Sequence, residues 1–575
     1  MKIEKFLPYV GVLLAGVLLT VFEGIFLYRV QEQNLFLHTS LFFKQCMVTS
    51  GGLLTWAGAY LTQFFHTPLL GVAILCLLWA FLIFLLGKTF RLPRQWMLLT
   101  LVPVACLLLT ITDLGYWIFF LKLRGHLFVA TLGTIVAISL AWAYLHIPRR
   151  YGLNAVFIVA ATAVGYPFFG FYALWATALM GVLSRRGANS CRIVDSLAAI
   201  AAIVVIPLVS YYLLYHQTNI VNIYWTALPV FCHTGERFFA YNIPYIVLVA
   251  STFAMAVTFG KKLESTIRPY WRKTIQTGIM VLTTIAVALF WYKDDNFHRE
   301  LSMMKSIEEQ DWQQVVKTAN DISGEPTRAI FLMRNLALQR LGRQGDELFS
   351  YPVGARRPNA PFTVRMVDTV GRLLYLEFGL PNYSYRWCME NGVEYGWTVE
   401  KLKLMVRCSL LNNEMAAVQK YLSMLKKTDF QQDWVKKYSE YLHHPQLIAD
   451  DLDMKAIRQL ERPDNFLTAD QGQLERFLLE HFATAPALNP VIQEQAMIAA
   501  MQTKNIPLFW QQFRIYTQTH RNEQRLPKHY QEAADLFAYL QNEASQTSFD
   551  VQAVKDRQRT YYYDFYFNRY DFIER

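Results

Sequence analysis

Three polar residues in the first half of the chain have side chains suited to chemistry on an anionic substrate. Glu32 is the only acidic residue between Glu23 and Asp113, and its carboxylate could act as a general base. Arg29 and Arg237 each carry a guanidinium group, which holds phosphate oxygens in pairs. The sequence therefore offers Glu32 as a candidate catalytic residue, with Arg29 and Arg237 as candidate phosphate-binding residues.

A simpler interpretation of the same residues stays open. Glu32 belongs to a polar stretch that also contains Gln31, Asn34 and His38, and such residues are often solvated loop residues or anchors at a membrane surface. Glu23 differs, because an ionisable group inside an apolar run usually faces a bundle interior or a cavity. The sequence alone does not decide between an active site and an inert loop.

The cysteines predict neither a metal site nor a disulfide framework. There are seven of them, an odd number, and no two are spaced as CxxC. Cys388 and Cys408 could pair if oxidised, but buried free thiols are the simpler expectation. No cofactor is predicted.

Composition divides the chain into two halves. Of its 575 residues 54% are hydrophobic and 17% are charged, and residues 1–292 carry 20 Lys+Arg against 7 Asp+Glu, whereas residues 293–575 carry 35 against 37. A helix needs roughly 20 apolar residues to cross a bilayer. The first half predicts nine such spans, near residues 6–28, 67–87, 95–112, 126–146, 153–168, 169–184, 192–215, 243–260 and 274–292.

The distribution of Lys and Arg predicts the orientation of these spans. Alternate loops hold 15 basic residues on one side and five on the other, and positive loops stay in the cytoplasm. The N-terminus is therefore expected inside and the second half in the periplasm of a bacterium, which puts the protein in the inner membrane. This topology requires residues 45–66 to form an interfacial or re-entrant segment rather than a span.

Residues 293–575 have the spacing of an α-helical repeat domain. Turn residues at Gly342, Gly379 and Asn412 are 37 and 33 residues apart, close to the repeat of about 34 residues in tetratricopeptide arrays. An irregular helical domain is the alternative. The aromatic end of the chain, YYYDFYFNRYDFIER, could form a binding surface, a membrane contact or a capping helix packed on the domain. The fold class predicted for the whole chain is all-α.

Two resemblances add to this prediction. The arrangement LFLHTSLFF, SGGLLTWAGAYLTQFFHTPLLG, DWQQVV, NLALQRLG and LPKHYQEA resembles an uncharacterised multi-pass membrane family of Bacteroidetes with a helical C-terminal domain. The membrane half also resembles, more loosely, the GT-C glycosyltransferases, which use polyprenyl-phosphate sugars and usually place a pair of acidic residues just after the first span. Here that position reads Gln31, Glu32, Gln33, with a single acid.

These observations favour two classes of function. The first is a noncatalytic role, in which the membrane bundle presents a periplasmic helical-repeat domain to a periplasmic protein or glycan during envelope assembly. The second, implied by the looser resemblance, is a lipid-linked glycosyltransferase acting at the periplasmic face, with Glu32 as its base. The bilayer is the expected partner in both. The charge of the chain gives no reason to expect nucleic acid, because the net charge of +11 comes from the membrane half.

Overall fold

A computed structural model describes the chain except for fourteen short stretches. The described residues are 6–121, 125–148, 152–184, 189–233, 236–237, 239–259, 269–322, 324–354, 356–463, 466–485, 489–520, 525–544 and 560–567. The chain forms two compact units. The first contains Met1–Lys293 together with the short segments Trp397–Val399 and Met424–Gln432; the second contains Asp294–Gly396, Glu400–Ser423 and Asp433–Arg575.

Among its described residues, the first unit is built from helices and one pair of two-residue strands. Its strands β1 (Cys232–His233) and β2 (Glu236–Arg237) pair antiparallel. Its helices are α1 (Leu7–Phe22), α2 (Gly24–Glu32), α3 (Ser40–Cys46), α4 (Gly52–Thr62), α5 (Pro68–Thr89), α6 (Leu101–Thr112), α7 (His126–His146), α8 (Leu153–Phe169), α9 (Phe171–Leu183), α10 (Asn189–Leu213), α11 (Ile243–Thr258) and α12 (Pro269–Phe290).

Several of these helices are long and apolar enough to cross a membrane. In the described part of the chain, six helical stretches meet that condition, and a seventh does if the bent pair α1 and α2 counts as one span. They are Pro68–Thr89, Arg94–Thr112, His126–His146, Arg192–Leu213, Ala240–Thr258 and Lys273–Phe290. The apolar helices α8 and α9 are shorter. A helical membrane protein is thus confirmed, while the predicted number of nine spans exceeds the six or seven found.

The two shorter apolar helices, which correspond to the predicted spans 153–168 and 169–184, meet at a chain reversal within the stretch GYPFFG. Helix α8 continues through Pro167, and the chain turns at Gly170, whose φ of 54° favours glycine. A Cβ atom there would lie 2.7 Å from the hydroxyl oxygen of Thr226. The two helices then pack side by side, with a hydrogen bond of 2.6 Å between the hydroxyls of Thr162 and Thr177. The turn residue is therefore the glycine rather than the proline.

The segment 45–66 contains no helix long enough to span a bilayer. Its longest helix, α4, has 11 residues and is about 16 Å long, whereas the hydrocarbon core is about 30 Å thick. Gly51 begins α4 in the left-handed conformation, with φ at 85°. Phe36, Phe42 and Ala59 form a small buried core beneath α3 and α4. Residues 33–66, which we call the first loop, thus form a folded element with its own core.

The second unit is built from shorter helices that pack in succession. They are α13 (Asp295–Glu308), α14 (Trp312–Asn320), α15 (Arg328–Arg340), α16 (Gln344–Glu347), α17 (Gly371–Glu377), α18 (Pro381–Tyr395), α19 (Val399–Leu411), α20 (Met415–Leu425), α21 (Gln432–His443), α22 (Leu447–Asp450), α23 (Leu452–Arg458), α24 (Leu474–Ala483), α25 (Pro490–Gln502), α26 (Ile506–Thr519), α27 (Lys528–Ala544) and α28 (Tyr561–Phe567). Val399 at the start of α19 and the 424–432 stretch between α20 and α21 belong to the first unit.

The predicted turn residues lie at helix ends. Gly342 and Gly379 follow α15 and α17 with φ values of 65° and 78°, the left-handed conformation that ends many helices. After α19, the left-handed residue is Asn413, with φ at 58°. The turns at Gly342 and Gly379 are therefore confirmed, and the third is displaced by one residue. Helix α28 packs on α27, with Tyr562 buried, so the described part of the aromatic end caps the unit.

The two turn glycines predict different sensitivities to alanine. At Gly379 a Cβ atom would lie 2.5 Å from the carbonyl carbon of Leu460, whereas at Gly342 it would meet no atom within 4 Å. Gly342→Ala should cost only the left-handed strain of about 1–2 kcal/mol. Gly379→Ala should cost a further 1–3 kcal/mol or so, because rigid backbone must move. Thermal unfolding of the full chain in detergent measures both, and equal melting temperatures would contradict the close packing at Gly379.

Candidate functional site

Arg29 and Glu32 lie on α2, which bends by 75° from α1. They are one helical turn apart, and their exposed fractions are 0% and 1%. Gln31 is equally buried. Buried charges of this kind require compensation from neighbouring polar groups. Arg29 and Glu32 are therefore interior groups, and the interpretation of them as solvated loop residues is wrong.

The third predicted residue is not brought to them by any described contact. The backbone of Arg237 lies in β2, and its side chain falls outside the part of the chain that the structure describes. The proposed pair of phosphate-binding arginines therefore stays a prediction. A base at Glu32 also stays a prediction, and its burial adds the requirement that a substrate enter the protein interior.

Glu23 sits at the bend between α1 and α2 and is 3% exposed. Its carboxylate accepts a hydrogen bond of 2.6 Å from the indole nitrogen of Trp291, which directly follows α12. The expectation that Glu23 faces the interior is confirmed. The contact joins the first and last long helices of the first unit at the level of the bend.

An aromatic face covers the first loop and was missed at the level of sequence. We define it as Trp56, Tyr60, Phe64 and Phe430, all of them partly exposed. The rings of Trp56 and Tyr60 are nearly parallel, with 6.4 Å between centroids, and Phe64 meets Tyr60 and Phe430 edge-on at 5.6 Å. The signal for the first three was available, because residues 56, 60 and 64 have the i, i+4, i+8 spacing of one helix face.

A polar edge, which we define as His38, Gln63 and Asp429, borders the aromatic face. The Gln63 amide donates to an Asp429 carboxylate oxygen at 3.1 Å, and the Gln63 carbonyl accepts the backbone N–H of Asp429 at 2.9 Å. The same carboxylate oxygen lies 2.9 Å from Nε2 of His38. The His38 and Asp429 side chains are 51% and 38% exposed, so both can reach a ligand.

Backbone contacts fix the second contributor to this site, the segment 424–432. The N–H of His38 donates to the carbonyl of Lys427 at 2.9 Å. The separate segment Trp397–Val399 is held in the same way, because the N–H of Val399 donates to the carbonyl of Asn34 at 3.2 Å. The ring of His66 stacks on Phe430, with 5.5 Å between centroids. Phe430 itself has a φ of 62°, which is uncommon for a bulky residue. The segment is thus held by several independent contacts within the first unit.

In the described part of the chain, no three or more His, Cys, Asp or Glu side chains are grouped so that they could hold a metal ion. The side chains at this surface are suited to recognition of a ring-shaped ligand. An aromatic face beside hydrogen-bonding side chains can stack such a ligand and hydrogen-bond to its edge. Aromatic rings present a negative face to weakly positive C–H groups.

One catalytic-looking constellation occurs in the second unit. Nε2 of His529 lies 3.3 Å from the hydroxyl oxygen of Ser350, and its Nδ1 lies 3.0 Å from Glu532. The backbone N–H of Phe349, however, also points at Nε2 from 3.3 Å. Because one lone pair cannot serve both groups well, the arrangement is explained as a structural link between α27 and the 3-10 turn Leu348–Ser350 that follows α16.

Buried ionisable groups elsewhere serve packing. Burial lowers the pKa of Lys401 to about 7, and the Lys401 amine donates to the carbonyl of Gly396 at 2.8 Å. Burial raises the pKa of Asp453 to about 6, although Arg407 contacts its carboxylate at 2.5 Å. Cys388 and Cys408 are both buried free thiols in the structure.

Comparison with known proteins places the chain at the level of family. The sequence profile described as "Family of unknown function (DUF6057)" matches residues 2–567. The chain belongs to the DUF6057 family. No curated protein and no solved structure matches it. Family membership over the whole length is therefore shown, while a Bacteroidetes origin, tetratricopeptide repeats and a GT-C relationship stay predictions for this DUF6057 member.

The hydrogen bonds of Gln63 predict how firmly the segment 424–432 is held. Gln63→Ala removes two of them, one to a carboxylate, and their combined loss of roughly 1.5–3 kcal/mol should raise local opening about tenfold or more. Limited trypsin digestion of the full chain should then cleave faster after the exposed residues Lys426 and Lys427.

Two controls accompany this digestion. Cleavage after Lys420, which lies on α20, should keep its rate. Thr55→Ala removes a hydroxyl that, among the described residues, donates to the carbonyl of Gly51, the cap of its own helix, at 3.4 Å, and should digest like the wild type. Unchanged cleavage in Gln63→Ala would show that the segment does not depend on this residue.

Proposed function

We propose that the protein is a multi-pass inner-membrane protein that binds a glycan at the outer surface of its first loop and acts in envelope assembly. The observation that carries this proposal is the aromatic face beside the polar edge. Trp56, Tyr60 and Phe430 offer ring surface to the C–H face of a sugar, and the exposed His38 and Asp429 groups offer a donor and an acceptor to its hydroxyls.

The charge distribution supports a location of this surface outside the cytoplasm. The 15 basic residues of alternate loops face the cytoplasm in the proposed topology, and residues 33–66 then lie on the opposite side. Nine crossings, including the shorter helices α8 and α9, remain part of the proposal. The helical second half lies in the periplasm in this arrangement, where a repeat-like surface could bind a protein partner.

A second candidate function rests on the two buried charges of α2. Arg29 and Glu32 are one turn apart and enclosed, which is how an enzyme could position a base beside a phosphate. In this alternative the protein is a GT-C-like lipid-linked glycosyltransferase. The lone acid at Glu32 and its 1% exposure favour glycan binding without transfer.

Glycan binding should depend on the aromatic face. The full chain in lipid nanodiscs is applied to an array of bacterial-type oligosaccharides, and the best ligand is titrated. Trp56→Ala and Phe430→Ala should weaken binding about tenfold each, since a stacked ring is worth roughly 1–1.5 kcal/mol.

The matched control for this titration is Trp225→Ala. Trp225 is 60% exposed and lies in another outer loop of the proposed topology, so its loss should leave binding unchanged. The glycan site would be contradicted if all three variants bound the oligosaccharide as tightly as the wild type, or if the wild type retained no oligosaccharide. The rings would then be interpreted as membrane-interface anchors.

Glu32→Gln separates binding from catalysis. The substitution keeps the shape of the side chain and removes a general base, whose loss typically slows a reaction about 10²–10⁴-fold. Complementation of a deletion strain at equal protein level is the measurement. Full complementation is expected from Glu32→Gln, and none from a chain lacking residues 296–575. A null phenotype for Glu32→Gln at normal expression would reverse the preference in favour of the enzyme.

A further inference from the structure

An unfilled apolar groove lies between α1 and α12 in the first unit. Leu101, the first residue of α6, and Leu98, three residues before it, also line the groove, whose volume is about 680 Å³. Helix α1 contributes Leu7, Val10, Gly11 and Leu14, the spacing of one helix face. None of the 18 residues from Lys273 to Phe290 is buried by the described part of the chain. Something other than these residues must therefore cover the groove in the membrane.

The length of the groove corresponds to one leaflet. On α12 it extends from Lys273 to Ile285, which is about 18 Å at 1.5 Å per residue. One leaflet of the hydrocarbon core is about 15 Å deep. The groove thus begins near one membrane surface and ends near the midplane.

The groove reaches only about halfway along a spanning helix, which favours a lipid acyl chain over a second spanning helix as its occupant, because such a helix would cover both leaflets. A single acyl chain is thin and flexible, and its length corresponds to the depth of one leaflet.

The charged group of the groove lies at the end nearest the membrane surface. Lys273 is exposed there, and the side-chain amide of Gln276 donates to the backbone carbonyl of Gln95. Deeper in, the hydroxyl of Thr284 bonds to its own helix, at 2.9 Å from the carbonyl oxygen of Met280. The groove is therefore cationic at the surface and apolar below, which matches an anionic lipid.

We propose that this groove binds one acyl chain of an anionic phospholipid, with the lipid phosphate at Lys273. In the proposed topology this end faces the cytoplasm, where anionic headgroups and basic side chains attract each other. The site is separate from the aromatic face and does not depend on glycan binding, whereas its cytoplasmic placement rests on the proposed topology.

Native mass spectrometry of the full chain in mild detergent tests the proposal. Phosphatidylglycerol and phosphatidylcholine with identical acyl chains are added in turn, and bound lipid is counted. Wild type should retain one phosphatidylglycerol in preference to phosphatidylcholine. Leu14→Trp fills the groove and should abolish retention of both lipids. Lys273→Gln should keep the lipid but reduce the preference for phosphatidylglycerol about fivefold.

Matched controls isolate the groove from general lipid contact. Leu13→Trp changes the neighbouring leucine of α1, which is 65% exposed and does not line the groove. Lys88→Gln removes one exposed positive charge from the end of α5. Both should retain lipid as the wild type does. Equal retention by Leu14→Trp and Leu13→Trp would overturn the acyl-chain site, and an unchanged preference in Lys273→Gln would overturn the role of the headgroup.

Discussion

The paired hydrogen bonds between Gln63 and Asp429 are the contact on which the candidate site depends. They join two stretches that are 366 residues apart in the chain. Through them Phe430 reaches the rings of the first loop, and Asp429 reaches His38. Without this contact the loop would keep Trp56 and Tyr60 but would lose the edge that makes the surface polar on one side and aromatic on the other.

Burial of charge is the second constraint. Glu23, Arg29 and Glu32 all lie near the bend between α1 and α2, and all are almost completely inaccessible. Removing such groups from water costs several kcal/mol each unless neighbours compensate. The indole of Trp291 provides part of that compensation for Glu23. The residues at and after the bend therefore form a small polar core within an otherwise apolar bundle. This structural role accounts for the buried charges without requiring a catalytic reaction.

Sequence reasoning succeeded where one local property determined the structure. Apolar length predicted the long helices, and glycine predicted the turns at Gly342 and Gly379, because only glycine adopts positive φ without cost. It failed where contacts between residues far apart in the sequence determine the structure. Nothing local to Phe430 indicates that it packs with residue 64, and the polar character of residues 29–34 suggested solvent although their partners bury them. The helical spacing of Trp56, Tyr60 and Phe64 was readable and was not used.

The position of the segment 424–432 has a consequence for biosynthesis. The first loop is made early, but its aromatic face lacks Phe430 until about 366 further residues have been added. At 5–20 residues per second this delay is roughly 20–70 s. Throughout that interval Trp56 and Tyr60 form an open, incomplete surface, and a chain that stops before residue 430 never closes it. The aromatic face is thus complete only after most of the polypeptide has been translated and the segment 424–432 has folded back onto the first loop.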